Sequence, residues 1–92
     1  MKNVLWFLIA GTRGGHTRGR IISLLRKNPQ NANKISEILN LDYKTVRHHI
    51  KVLEKNSIIA AVNKNDYGAV YFLSEQMKSE LNTFDEIWNK FG

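Results

Sequence analysis

Asp42-Tyr43-Lys44-Thr45-Val46-Arg47-His48-His49-Ile50-Lys51-Val52-Leu53-Glu54-Lys55 is the stretch that decides the fold. Asp42 is a good N-cap, because a short carboxylate accepts from the free N–H groups of a first helical turn. It predicts a helix from Tyr43 to Lys55. At about 100° per residue, counted from Lys44, the side chains of Val46, Ile50 and Leu53 fall between roughly 180° and 240°. Lys44, His48, Lys51 and Lys55 fall within about 40° of zero, Arg47 near −60° and Thr45 near 100°. His49, near 140°, borders the aliphatic stripe and reads as a structural or phosphate-contacting residue. One face therefore anchors the helix to a core, and the opposite face carries cations about a turn apart.

Only Glu54 supplies an acid within this helix. An ordinary solvated face mixes both signs. A helix with one cationic face suits the major groove of duplex DNA, which admits a single α-helix. Lysine and arginine neutralise phosphates there, and Arg, Lys and Thr also address base edges. The bland reading is a surface helix with solvated lysines.

Upstream, Thr17 can cap a helix with Ile21, Ile22, Leu24 and Leu25 as its apolar positions, stopped by Asn28-Pro29. Asn31 or Asn33 can cap a shorter helix whose Ile35, Ile38 and Leu39 share one side. Asn40 ends it, since Asn tolerates the left-handed conformation such ends use. Gly11-Thr12-Arg13-Gly14-Gly15 lacks the spacing of a phosphate-binding loop and reads as a turn needing positive φ. Val4-Leu5-Trp6-Phe7-Leu8-Ile9-Ala10 before it is a buried helix or strand, which periodicity cannot separate in so short a run. A cleaved leader fits less well, because Lys2 is its whole basic flank.

Downstream, Ile58–Val62 and Ala69–Leu73 are β-prone. Asn63–Gly68 between them is rich in turn formers, so the two runs form a hairpin. Ser74 caps a last helix over residues 75–91. Along it Met77, Leu81, Phe84, Trp88 and Phe91 step by 4, 3, 4 and 3, a coiled-coil-like seam.

The chain has 92 residues, no Cys and a formal charge of +6. This is one domain's worth of chain, and a core of that size is marginal alone. Residues 1–55 hold eleven Lys/Arg against three acids, +8, whereas residues 56–92 hold three against five, −2. The positive charge is thus gathered in one part, as a polyanion-binding surface requires. No run approaches the roughly 18 apolar residues of a membrane span. The absence of thiols, of an acid/base pair at useful spacing and of a nucleophile motif argues against an enzyme.

The run from Lys34 to Glu54 resembles the helix-turn-helix of winged-helix transcriptional regulators, and is closest to the arsenic-repressor-like (ArsR-type) group. Thr45-Val46, His49, Lys51, Leu53 and Glu54 fall on that group's pattern. Thr12–Ile22 and Asn31–Ile35 resemble small archaeal members. The resemblance spans about residues 12 to 73. It implies a mainly α fold with a β-hairpin wing: a three-helix core at 17–55, a wing at 57–73, and dimerisation elements at 1–10 and 75–91. It further implies a cytoplasmic homodimer that binds double-stranded DNA and regulates transcription. Lys44, Thr45, Arg47 and His48 become the groove-facing readers, and Tyr43 and Lys51 the phosphate contacts. Lys34 would hold the backbone, and Lys64 at the wing tip would reach the minor groove or a phosphate. The glycine usual before the wing is Ser57 here, with Asn56 expected to take the left-handed conformation.

Dimerisation is assigned to Leu5, Trp6 and Leu8 together with Met77, Leu81, Phe84, Trp88 and Phe91. The alternative is that the last helix folds back on its own core. The group's thiolate metal ligands are absent, and adjacent His48 and His49 point about 100° apart, so no metal and no cofactor is expected. The competing function is a winged-helix module that binds protein or RNA.

Overall fold

Two short polar side chains set the helix-turn-helix. The computed structural model describes residues 1–64 and 68–92. Asn31 accepts from the Lys34 amide at 2.8 Å and starts helix α3, Ala32–Leu39. Asp42 accepts from the Lys44 and Thr45 amides at 3.0 and 3.3 Å and starts α4, Tyr43–Lys55. Between them Asn40 adopts φ 54°, ψ 52°, the left-handed conformation expected of it. The turn is closed by Leu41 N–H on the Ser36 carbonyl at 3.0 Å and by the Ser36 hydroxyl on the Leu41 carbonyl at 2.5 Å.

Ahead of these lie α1, Lys2–Ala10, and α2, Gly15–Lys27. The apolar N-terminal run is thus a helix. Helix α2 begins two residues before the expected Thr17 cap, because Gly14 at φ 88° makes the entry turn. A Cβ on Gly15 would lie 1.9 Å from the Ile9 carbonyl oxygen, so the glycine-rich segment is a close joint between α1 and α2. Beyond α4, strand β2 (Ile59–Val62) pairs antiparallel with β3 (Val70–Leu73), Ile59 opposite Leu73 and Val62 opposite Val70. Residues 65–67 of the expected turn lie outside the described residues. A third strand, β1 (Gln30–Asn31), completes the order β1-β3-β2, with Gln30 opposite Tyr71. A two-residue strand leaves no pattern in the sequence by which to expect it.

Two local expectations change. The left-handed residue before the wing is Ser57 at φ 60°, while Asn56 stays at φ −96°. Asn56 instead donates its side-chain amide to the Val52 carbonyl at 2.8 Å, which holds it within the helix end. In α3, Ala32 and Ile35 are buried and Leu39 is at the edge of the core, whereas Ile38 is exposed. The inward arc is centred between Ile35 and Leu39, so Ile38 lies about 90° off it.

The C-terminal segment is not one helix. It breaks at Ser79 and Glu80 into α5, Glu75–Lys78, and α6, Leu81–Phe91. Helix α6 packs beside α1, and both close over the core formed by Ile21, Ile22, Ile50 and Leu53. Leu5, Leu8, Met77 and Phe84 are consequently buried within the chain itself and not on a face open to a second copy. Trp88 stacks on His16 and Phe84, with centroids 5.3 and 5.8 Å away. It lies so close to α2 that a Cβ on Gly19 would sit 2.1 Å from its ring. Leu81 is half-buried against the core. Of the expected seam only Phe91 is exposed; it packs edge to face at 5.9 Å on the partly buried Trp6, with Phe7 60% exposed on α1. The last helix folds back because burying two amphipathic helices in one small core removes more apolar surface from water than leaving both open. No helix among the described residues is long and apolar enough to cross a membrane.

Candidate nucleic-acid interface

Helix α4 stands as its periodicity demands. Val46, Ile50 and Leu53 are fully buried, and burying three such aliphatic side chains stabilises the docking by roughly 1.5–3 kcal/mol each. Lys44, Thr45, His48 and Lys51 lie on the opposite side, toward solvent, and Tyr43 is exposed at the helix start. These five form one outward face. Lys55, at the far end of the helix, lines a shallow groove with Lys51 and Lys64 against β2.

Three expected contacts sit differently. Arg47 is half-buried on the flank of the helix, and its Nη1 donates to the Tyr71 hydroxyl of β3 at 2.6 Å. That bond, with lesser help from nearby groups that include Glu54 and against the effect of burial, raises its pKa above the ordinary arginine value. Lys64 turns back from the wing to Glu54 of α4 at 2.9 Å, and Lys34 pairs with Glu37 at 3.4 Å. Both lysine heads remain largely solvated; the Lys34–Glu37 pair is exposed on both sides and contributes at most about 1 kcal/mol, whereas Glu54 is largely covered. A phosphate can therefore displace Glu37 from Lys34 at little cost.

The pairing of His49 with Arg18 has no counterpart in the sequence reading. Arg18 of α2 is only 4% exposed. Its Nε donates to the Leu8 carbonyl at 2.8 Å and its Nη2 to the Arg13 carbonyl at 3.1 Å and to the Thr12 hydroxyl. Its Nη1 lies 3.3 Å from His49 Nδ1. Among the described residues Arg18 has no carboxylate partner. An arginine donates only, so His49 Nδ1 must carry its lone pair and the ring proton must sit on Nε2. Burial lowers the His49 pKa, and the charges of Arg18 and His48 lower it further. Arg20 adds a further tie, donating to the Leu39 carbonyl at the end of α3 at 2.9 Å. Among the described residues no group of three His, Cys, Asp or Glu is placed to hold a metal ion.

A three-helix core, a tight turn before an exposed cationic helix and a β-hairpin beside it define a winged helix-turn-helix DNA-binding protein. Residues 15–60 match the model of the arsR family of bacterial regulatory proteins, half of the chain, and the chain belongs to that family. No curated protein is significantly similar to it in sequence. Among solved structures, the diamide-treated regulator YodB of B. subtilis is similar at 25% identity with a TM-score of 0.70, over 97% of this chain and 86% of YodB. The apo-Zalpha domain of zebrafish PKZ shares 22% identity and a TM-score of 0.64, over 70% of this chain and all of that domain. A mutant of Lactococcus lactis ZitR in complex with DNA matches at 19% identity and a TM-score of 0.65, over 82% of this chain and 53% of ZitR.

Proposed function

We propose that this chain is a sequence-specific regulator that acts as a homodimer, with α4 in the major groove of duplex DNA and the hairpin on the adjacent backbone or minor groove. The observation that carries the reading is the division of α4: Val46, Ile50 and Leu53 are sealed in the core while Lys44, Thr45, His48 and Lys51 face solvent together. Lys44, Thr45 and His48 read bases. Tyr43, Lys51, Lys34 and Lys64 hold phosphates. The reading is supported by the fold shared with the ZitR–DNA complex. It needs no metal or cofactor. Its setting is the cytoplasm, and its sequence is of the small archaeal type.

The dimer rests on the apolar surface left by Trp6, Phe7 and Phe91, where α1 and α6 lie side by side. A two-fold pair sets recognition helices about one DNA turn, roughly 34 Å, apart. Selection from random duplexes, followed by footprinting, tests both parts. The expected product is a palindrome with half-sites about 10 base pairs apart. Lys44→Ala should weaken its binding and relax its base preference. No enrichment of any duplex, or salt-insensitive binding to protein or RNA instead, overturns the reading. A monomer by sedimentation at micromolar concentration overturns the dimer.

A further inference from the structure

Between α4, the start of α3 and the sheet lies a cleft of about 340 Å³, lined by Asn31, Asn33, Tyr43, Arg47, Lys64 and Tyr71 among others. None of its described lining residues is acidic, and two are cationic. Arg47 enters this cleft from the flank of α4, anchored by the phenol of Tyr71. A hydroxyl that accepts from a guanidinium still has its own proton to give. The cation polarises that O–H and strengthens it as a donor. Arg47 has five N–H groups, of which the Tyr71 bond uses one.

We infer that Arg47 and Tyr71 form a phosphate clamp that grips one backbone phosphodiester of duplex DNA between recognition helix and wing. The inference rests on the DNA-binding reading and deepens it. It assigns to Arg47 a positioning task in place of base readout, and to Tyr71 a part in binding that its sequence did not announce. Three features favour a phosphate over a base edge. The guanidinium is turned toward the sheet, away from the face that carries Lys44, Thr45 and His48. Its anchor is an uncharged hydroxyl, so no bonded carboxylate competes with an anion for it. The cleft offers donors from several directions, from Arg47, Tyr71 and the Asn31 and Asn33 side chains, which suits a tetrahedral oxyanion.

The test uses the full chain on its selected duplex, with affinity measured by fluorescence anisotropy across a salt series and base preference by repeat selection. Arg47→Gln should lower the magnitude of the log–log salt slope by about 0.9, the loss of one phosphate contact. It should weaken all single-base variants of the site alike. Arg47→Lys should restore the slope but not all the affinity, since the point charge returns without the fork. Tyr71→Phe keeps the buried ring and should lower affinity about three- to tenfold, uniformly across sequences, as one hydrogen bond predicts. Unchanged circular dichroism and melting temperature confirm that each variant is folded; a Tyr71→Phe variant that melts early is replaced by Arg47→Gln alone. The clamp is overturned if Arg47→Gln relaxes preference at one base position with the slope intact, or if neither substitution changes binding. If the unaltered protein shows no salt-dependent duplex binding, the DNA reading falls and the clamp with it. If Lys44→Ala weakens binding while Arg47→Gln and Tyr71→Phe do not, only the clamp falls.

Discussion

Acidification should loosen the joint between α2 and the recognition helix through His49. Arg18 is a buried cation with no carboxylate among the described residues, and His49 Nδ1 is one of its acceptors at 3.3 Å. Protonating that ring converts an acceptor into a donor and sets two cations side by side. At an effective dielectric of about 20, unit charges 4 Å apart repel by about 4 kcal/mol, well above the roughly 1 kcal/mol net value of the hydrogen bond that is lost. Burial acts in the same direction. The folded-state pKa of His49 thus lies below its unfolded value near 6.5. Below that value the unfolded chain binds the proton more readily than the folded one. Stability is therefore complete above about pH 6.5 and declines as the pH falls below it, by at most about 1.4 kcal/mol per pH unit, until the folded-state ring itself titrates.

The assay is thermal unfolding followed by circular dichroism between pH 7 and pH 5, on the free protein. For a domain of this size each kcal/mol corresponds to roughly 4–8 °C in Tm. His49→Asn offers an uncharged oxygen where Nδ1 stood and should flatten the profile over this range. Asp85, whose carboxyl is held below the usual range by its bond to Arg26, loses its contribution only at lower pH. A wild-type chain whose Tm does not fall between pH 6.5 and pH 5, or a His49→Asn chain that falls equally, would refute the reasoning.

Gly19→Ala should destabilise the chain, because the added methyl meets Trp88 Cζ3 at 2.1 Å; overpacking of this kind costs about 1–3 kcal/mol, more than the roughly 1 kcal/mol gain in helix propensity. A double-mutant cycle with Trp88→Ala, read by urea denaturation, should recover most of that loss, and simple additivity would count against the proposed packing. Ser57→Gly should raise Tm, since the left-handed conformation costs about 1–2 kcal/mol in a side-chain-bearing residue and glycine's extra unfolded freedom returns only about 0.4–1 of it. A lower Tm for that variant would mean that the Ser57 side chain contributes more than its backbone costs.

Helix α4 and the hairpin were readable because each rests on local signals: an Asp42 cap and one aliphatic stripe, then two β-prone runs around a turn. The break at Ser79 and Glu80 was not, since the spacing of Met77 and Leu81 fits a continuous helix as well as two short ones. Arg47 and Tyr71 lie 24 residues apart, and only the docking of β3 against α4 brings them together. Arg18 misleads for a physical reason. Buried charges are rare, so an arginine in an amphipathic helix reads as surface until the carbonyls that satisfy it are known. The N- and C-terminal apolar segments are recognisable as needing partners, but a period of 3.5 names no partner, and a small core took most of both.

The cations around α4 divide by the kind of partner they hold. Lys34 and Lys64, at the periphery, rest on carboxylates, Glu37 in solvent and Glu54 largely covered. Arg47 on one flank of the helix and Arg18 at the other are held by a phenol, carbonyls, a hydroxyl and a neutral imidazole. Neutral acceptors fix a guanidinium's position and leave its charge uncompensated. Replacing them with carboxylates would tighten the fold locally and would cancel the field that draws a polyanion to the helix. A marginal domain that bonds neither arginine to a carboxylate among the described residues, beside its exposed lysine face, accepts self-repulsion in the free state. Phosphate relieves that repulsion on binding, so stability and duplex affinity are linked: duplex at free concentration L should stabilise the fold by RT ln(1 + L/Kd), an increment that shrinks as salt weakens binding.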